Sequence, residues 1–235
     1  ILDQIDERFE VLVVDDGSTD GSHEILDQLK EEYEALRWIE GENDNIGEAR
    51  AMANREAHGE YVILQLDADD EIKPVIQDMV EIYHTLEDKK DPMFWFNDIA
   101  PRKLLLEENY RSMARSEDRD LKRRLLARDG YIPLERNPIY NSLGYEDTRL
   151  DGLKNAYIEV KNILRSGVTL KSYISYKLLN LSCLHDAFRV SISPIAYIDA
   201  VFSGRYTLPE EYRKYGNRWK EEARLKESLK GIEEK

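Results

Sequence analysis

The chain has 235 residues, of which 41% are hydrophobic and 35% charged, and its formal net charge is −14. This composition is typical of a soluble globular protein and excludes an intrinsically disordered one. The charge is uneven, with −18 over residues 1–150 and +4 over residues 151–235. An acidic first part argues against general nucleic-acid binding, while the basic remainder leaves an anionic partner open.

Cysteine use and hydropathy bear on where the protein acts. Cys183 is the single cysteine, so an internal disulfide is excluded and a reducing compartment is favoured. No apolar stretch approaches the ~20 residues that span a bilayer, and no signal-peptide pattern is present. The sequence therefore predicts a cytoplasmic location.

The first part of the chain alternates predicted strands and helices. Residues 9–14 and 61–66 are short apolar runs rich in β-branched side chains, which is typical of strands buried on both faces. Apolar residues at helical spacing follow the first run, and an Ala-rich helix over 47–58 precedes the second. From about residue 146 onward the spacing predicts helices alone. Pro194 is expected to bend or break the segment 183–204, and residues 208–235 are expected to form a charged, exposed helix.

Both apolar runs end in carboxylates. Asp15 and Asp16 follow the first, while Asp67, Asp69 and Asp70 follow the second. In open α/β sheets, ligands bind beyond the carboxyl ends of the strands, so both groups would face one crevice. Such a cluster repels itself unless a cation compensates it. Magnesium or manganese bound together with a phosphorylated ligand would supply that compensation.

Each acidic pattern also has a purely structural interpretation. Asp15 to Ser18 is typical of a turn that caps a helix, and Asp69 or Asp70 is suited to cap the helix that follows. Glu117 and Asp118 precede an apolar helical pattern, where acidic residues gain ~0.5 kcal/mol from the helix dipole. The occurrence of two acidic strand ends together favours the functional interpretation.

Four ordered motifs resemble family 2 glycosyltransferases, which have the GT-A fold. They are the segments Phe9–Ser22, Asn45–Arg50, Gly59–Val62 and Leu66–Asp70. The resemblance covers roughly residues 1–135. It implies an α/β fold, with a mostly parallel sheet flanked by helices in a nucleotide-sugar-binding domain over residues 1–145. That domain lacks the family's first strand, and a helical extension follows over residues 146–235.

The resemblance also implies roles for individual residues. Donor binding would involve Asp15, Asp16, Gly47, Arg50 and Asp67, with Asp16 on the base and Asp67 against the ribose and diphosphate. Asp69, with Asp67, would ligate Mg²⁺ or Mn²⁺. Asp118, beside Glu117, would be the general base.

These roles predict an inverting, metal-dependent glycosyltransferase of the hexosyl type. It would move a sugar from a nucleoside-diphosphate sugar to a glycan hydroxyl or a polyprenyl phosphate. An enzyme that forms sugar nucleotides is disfavoured, because such enzymes usually rely on a glycine-rich basic phosphate loop, which the sequence lacks. A non-catalytic remnant that binds a nucleotide sugar or a partner stays open as the alternative.

The basic part of the chain suggests a further partner. Residues 165–206 combine apolar side chains with Lys171, Lys177, Arg189 and Arg205. Apolar surface beside cationic groups is what a helix on an anionic membrane needs. One hypothesis is therefore peripheral contact with the inner face of the membrane. The favoured alternative is that these helices pack on the catalytic domain.

Overall fold

The computed structural model describes residues 1–63, 70–87, 95–96, 99–132, 140–142 and 149–216. The chain divides into two compact units. Unit 1 comprises residues 1–112 and 134–145, and unit 2 comprises residues 113–133 and 146–235. Residues 113–133 thus group with the segment that follows residue 145. The domain limits 1–145 and 146–235 stay predictions.

Unit 1 begins with a 3-10 turn (Leu2–Gln4), which two parallel strands joined by a helix follow. Strands β1 (Val11–Asp15) and β2 (Leu36–Glu40) pair in register, with Asp15 opposite Glu40. Helix α1 (Ser22–Glu32) connects them and packs against β2. Parallel strands need such a crossover connection. The two strands consequently end at the same edge, where Asp15 and Asp16 lie.

Burial of the first strand differs from the expectation. The apolar side chains of β1 are only half-buried, and Asp15 is its one buried residue. Helix α1 has no buried residue. Within the described residues β1 pairs with β2 alone, so its apolar side chains are incompletely covered. The prediction that the run 9–14 is buried on both faces is therefore wrong.

The rest of unit 1 is built from short strands and three helices. The helices are α2 (Ile46–Glu56), α3 (Ile76–Glu87) and α4 (Arg102–Glu107). The strands are β3 (Tyr61–Ile63), β4 (Asp70–Ile72), β5 (Trp95–Phe96), β6 (Ile99–Pro101) and β8 (Tyr140–Ser142). Strand β6 pairs antiparallel with β3 and β5, and β4 pairs antiparallel with β8. The predicted α/β class is confirmed, with its parallel pairing at β1–β2.

Unit 2 is mainly helical. Its elements are α5 (Glu117–Leu126), β7 (Tyr131–Ile132), α6 (Arg149–Arg165), α7 (Leu170–Leu179), α8 (Leu184–Phe202) and a 3-10 turn (Glu210–Arg213). One core cluster comprises the buried side chains of Val160, Ile163, Leu164, Val168, Tyr173, Ala196, Ala200, Leu208 and Tyr215. Helices α6, α7 and α8 each contribute to it, so this unit holds a continuous apolar core.

Pro194 does not break the last long helix. Helix α8 runs through it, although a proline deprives the carbonyl four residues earlier of its usual N–H donor. That carbonyl belongs to Val190, and the Ser193 hydroxyl donates to it at 2.7 Å. The serine thus replaces the lost hydrogen bond. The predicted break is wrong, and a bend at Pro194 stays a prediction.

The segment after α8 also differs from the prediction. Residues 208–216 contain one 3-10 turn (Glu210–Arg213) rather than an exposed helix, and Leu208 and Tyr215 are buried in the core of unit 2. Residues 217–235 lie outside the described part of the chain. Among the described helices, none is long and apolar enough to cross a bilayer.

Candidate functional site

The Asp15 carboxylate closes the turn that follows β1. Its Oδ1 accepts from the backbone N–H groups of Gly17 at 3.0 Å and Ser18 at 2.8 Å. Gly17 takes a φ of +84°, which glycine adopts without strain. These hydrogen bonds, those from Ser18 foremost, hold the pKa of Asp15 at about 2 because they favour the ionised form. Asp15 therefore organises this turn, and its contact with a donor stays a prediction.

His23 supports the same turn from helix α1. Its Nε2 lies 2.9 Å from Asp15 Oδ1, and this hydrogen bond raises the pKa of His23. The imidazole stacks on Trp38, with ring centroids 4.8 Å apart. Trp38 in turn donates to the Asp27 carboxylate at 2.9 Å. The turn is therefore fixed by contacts from both α1 and β2.

Asp16 forms a second polar pair at the same edge. Its exposed carboxylate accepts from Asn43 twice, at 2.7 Å from the side-chain Nδ2 and at 3.3 Å from the backbone N–H. An ionised carboxylate can only accept, so the amide nitrogen of Asn43 faces Asp16 and its oxygen faces away. The pair thus presents acceptor oxygens at the end of the parallel strands.

Gly41 makes this pair sterically feasible. Its N–H donates to the Asp15 carbonyl at 2.7 Å, which continues the β1–β2 pairing by one residue. A Cβ atom at position 41 would lie 2.2 Å from Asp16 Oδ1 and 2.5 Å from Asn43 Nδ2. Any residue other than glycine would displace the pair. The close approach of the Asp16–Asn43 pair to the backbone requires glycine here.

Helix α2 carries the next two predicted residues, Gly47 and Arg50. Asn45 caps this helix by accepting from Glu48 N–H at 3.3 Å, and its own amide donates to the Ser112 hydroxyl at 3.0 Å. Gly47 is buried in the first turn. The Arg50 guanidinium lies 6.0 Å from the centroid of the Tyr110 ring. The start of α2 is thus anchored in unit 1 immediately after the loop that holds Asn43.

The predicted metal ligands, Asp67 and Asp69, lie outside the described residues. In the part of the chain that is described, no group of three or more His, Cys, Asp or Glu side chains could hold a metal ion. The metal site stays a prediction.

The predicted general base lies in unit 2, at the start of α5. The Asp118 side chain is 41% exposed and lies 3.9 Å from Lys122 Nζ. Glu117 is 5% exposed, and Asp120 is a buried partner of Arg124 at 3.0 Å. Of these three acidic residues, Asp118 is the one that a molecule in solution can reach most easily.

Sequence reasoning did not identify Gly41 and Asn43 as residues of the site. One signal was available, since a glycine directly after a strand often marks a close approach of another group to the backbone. The sequence offered nothing to show that Asn43 meets Asp16, because the contact depends on the register of β1 and β2.

Comparisons with known proteins show that the first part of the chain is similar to glycosyltransferases. Residues 1–89 match the family model described as glycosyl transferase family 2. The chain is 35% identical over 92 residues to glycosyltransferase GlyG of Streptococcus pneumoniae serotype 4, covering 39% of this chain and 29% of that protein. It is 40% identical over 75 residues to the putative teichuronic acid biosynthesis glycosyltransferase TuaG of Bacillus subtilis, covering 31% of this chain and 29% of the relative.

These matches are local, since they span about three tenths of the length of both relatives. The crystal structure of residues 1–349 of S. aureus TarS aligns with 83% of this chain and 63% of that one, at 18% identity and a TM-score of 0.45. That likeness is too weak to support a conclusion. The sequence matches agree with the parallel β1–β2 pair and the predicted GT-A domain. The part of this chain that is similar to glycosyl transferase family 2 is therefore residues 1–89.

Proposed function

We propose that this protein is an inverting glycosyltransferase that moves a hexosyl group from a nucleoside-diphosphate sugar to an acceptor. The observation that carries the proposal is the Asp16–Asn43 pair at the shared carboxyl end of β1 and β2. The pair lies within residues 1–89, the part that matches the family model.

The chemistry of this pair suits a nucleoside. Carboxylate and amide oxygens accept hydrogen bonds, and the N–H groups of a base and the hydroxyls of a ribose donate them. Asp15 shapes the turn beneath the pair, and Gly41 leaves room for it. We assign the base contact to Asp16, held in place by Asn43, and donor contacts to Gly47 and Arg50 on the following helix.

We assign the general base to Asp118. As the acceptor oxygen attacks the anomeric carbon, its proton passes to the Asp118 carboxylate, and the bond from that carbon to the diphosphate breaks with the electron pair leaving on the diphosphate. Attack from the face opposite the leaving group inverts the anomeric centre. The 41% exposure of the Asp118 side chain supports its assignment as the base over Glu117, which is 5% exposed.

The two predicted acceptor classes differ in their need for this base. A glycan hydroxyl must lose a proton during the attack, whereas a phosphate oxygen of a polyprenyl phosphate is already ionised at neutral pH. Replacing Asp118 should therefore impair transfer to a hydroxyl and leave transfer to a phosphate largely intact.

Asp67 and Asp69 are our proposed ligands for Mg²⁺ or Mn²⁺. A bound divalent cation would compensate the negative charge of the diphosphate. Both residues lie outside the described part of the chain, and donor binding with and without manganese tests their assignment.

The proposal is tested by separating donor binding from transfer. Calorimetry with UDP-, GDP- and dTDP-sugars, with and without manganese, should find one donor that binds. Asp16→Asn should weaken its affinity about tenfold, while Asp118→Asn should retain the affinity and lose about 100-fold or more of the transfer to a hydroxyl acceptor. Asp78→Asn, which alters an exposed carboxylate on α3, is the matched control and should change neither.

The same experiment decides against the proposal if the unaltered chain binds a donor but neither transfers nor hydrolyses its sugar. That outcome would favour the alternative, a non-catalytic module that binds a nucleotide sugar. Failure to bind any of the donors would contradict both.

The predicted cytoplasmic location and membrane contact of residues 165–206 stay predictions. Exposed apolar side chains on α7 and α8 support the contact. Three of the four basic side chains invoked for it are engaged within unit 2, however. Lys177 pairs with Asp186, Arg189 pairs with Glu159, and Arg205 donates to backbone carbonyls. Contact with an anionic surface would therefore depend largely on apolar burial.

A further inference from the structure

Helix α8 has two apolar faces, and only one of them is covered. Ser193, Ala196 and Ala200 are buried on the first face. The opposite face carries Leu184, Ile195, Ile198 and Phe202, which are 90%, 64%, 57% and 86% exposed. We call this second face, together with Phe188 and Ser191, the α8 stripe. The positions of the α8 stripe are separated by 4, 3, 4, 3 and 4 residues, the spacing at which one helix packs along another.

The α8 stripe is almost free of charge. Residues 190–198 contain no charged side chain. The nearby Lys177 and Arg189 form ion pairs at 2.9 and 2.6 Å within the unit. An amphipathic helix that binds anionic lipid needs cationic side chains beside its apolar face. The α8 stripe is therefore better suited to an apolar protein surface than to an anionic bilayer.

The exposed area is large enough for a stable interface. Four further large apolar side chains lie close to the α8 stripe in the sequence. Leu178, Leu179, Leu181 and Val201 are 56%, 86%, 52% and 49% exposed. At roughly 60–120 Å² for each fully exposed apolar side chain, these four and the four exposed ones of the stripe offer roughly 300–650 Å² of apolar area. A stable complex buries about 800 Å² on each partner, of which about 450–520 Å² is apolar. A single monomer rarely exposes so large an apolar patch without a partner.

The spacing of the α8 stripe is symmetric about Ser193. Position 184 mirrors position 202, position 188 mirrors 198, and position 191 mirrors 195. A two-fold axis through the middle of the helix would bring each residue of the stripe opposite its mirror position in a second copy. Interfaces with this self-complementary property are how most homodimers form.

We propose that a second copy of this chain covers the α8 stripe, with the two α8 helices antiparallel about a two-fold axis. Leu184 of each copy then contacts Phe202 of the other, and the charge-free central turns pack together. This inference does not depend on glycosyl transfer, because it rests on unit 2 alone.

Sedimentation equilibrium of the full chain tests the pairing. We expect a species of twice the 27.5 kDa chain mass at micromolar concentration. Ile195→Glu should raise the dissociation constant at least about 100-fold, because each interface would then bury two like charges. Ile25→Glu is the matched control, since Ile25 is a 58% exposed isoleucine on α1, and it should leave the mass unchanged. Circular dichroism and melting temperature verify that both variants fold.

A charge exchange tests the orientation. Leu184→Lys and Phe202→Glu should each dissociate the dimer, since each removes an apolar contact and adds a charge. The double variant should associate again, because antiparallel helices place Lys at 184 opposite Glu at 202. If both single variants dissociate and the double variant fails to recover, the antiparallel arrangement is wrong.

Two outcomes would overturn the proposal as a whole. One is that the unaltered chain stays monomeric at 100 μM, a concentration about 100-fold above a micromolar dissociation constant. The other is that the monomeric chain floats with phosphatidylglycerol vesicles and Ile195→Glu abolishes that flotation. The second result would assign the α8 stripe to lipid.

Discussion

The parallel strand pair of unit 1 and the helical core of unit 2 are stabilised in different ways. Strand β1 is made of valine and leucine, yet its apolar side chains are only half-buried. Leu164 and Val160 of α6 are completely buried in a cluster that three long helices share. Apolar content alone therefore does not determine how much packing an element contributes. Coverage by neighbouring elements does.

The charged groups of the two regions also differ in their burial. At the end of β1, hydrogen bonds from Asn43 and the space left by Gly41 hold the exposed Asp16 carboxylate in place. In unit 2, the ionic groups Asp120 and Arg124 are buried against each other. Substitutions should accordingly affect ligand binding most in unit 1 and the free energy of unfolding most in unit 2.

The largest expected effect is on packing in unit 2. Leu164→Ala should lower its free energy of unfolding by about 3–4 kcal/mol, since a fully buried leucine leaves a cavity. Leu12→Ala in half-buried β1 should cost only about 1–1.5 kcal/mol in unit 1. Amide hydrogen exchange measures both, because it reports the opening of each unit separately. Equal losses at the two positions would contradict the comparison.

The next effect is on the strand edge of unit 1. Gly41→Ala should weaken donor binding at least about tenfold, because the new methyl group would force Asp16 and Asn43 apart. Gly152→Ala on α6 is the control. A Cβ there meets nothing within 4 Å, so the helix should gain about 0.5–1 kcal/mol and donor affinity should not change. Calorimetry and a melting curve give the two quantities.

Unchanged donor affinity in Gly41→Ala, with the variant folded, would mean that Asp16 does not need its present position. The base contact would then have to be assigned elsewhere. The melting curve of Gly41→Ala separates the two causes of a lost affinity, because general unfolding would lower the melting temperature and a displaced Asp16 would not.

Local patterns predicted much of the fold. The β1 run, the Ala-rich helix α2 and the apolar helical pattern that forms α5 were all evident from apolar spacing. Their burial was harder to predict, because it depends on which elements cover them. The half-buried β1 and the buried Leu208 were both mispredicted for that reason.

The remaining differences between the predicted and the observed structure have two causes. One is a side chain that replaces a backbone hydrogen bond, and the other is the register of two strands. Ser193 replaces the hydrogen bond lost at Pro194, a compensation that proline statistics do not include. The Asp16–Asn43 contact joins two loops that meet only when β1 and β2 pair in register. The carboxylates of the site were thus predictable from motifs, whereas the groups that hold them in place required the structure.

The smallest expected effect concerns the Asp15–His23 pair, which tests whether hydrogen bonds organise the edge. The raised pKa of His23 means that its contribution to stability is complete below its ordinary value of 6.5 and is lost as pH rises through the folded-state pKa. The contribution of Asp15 is complete above its ordinary value of 3.8 and is lost as pH falls through about 2. Both groups are therefore ionised and paired between about pH 4 and 6.5.

An NMR titration of the His23 imidazole measures this coupling directly. We expect a pKa above 6.5 in the unaltered chain, and a return to about 6.5 in Asp15→Asn, because the neutral amide no longer favours the protonated ring. Asp27→Asn is the matched control, since it neutralises the carboxylate that accepts from Trp38 rather than the one that pairs with His23. A His23 pKa that stays raised in Asp15→Asn would assign the shift to the other acidic groups of unit 1. Asp15 would then act on the turn through Gly17 and Ser18 alone.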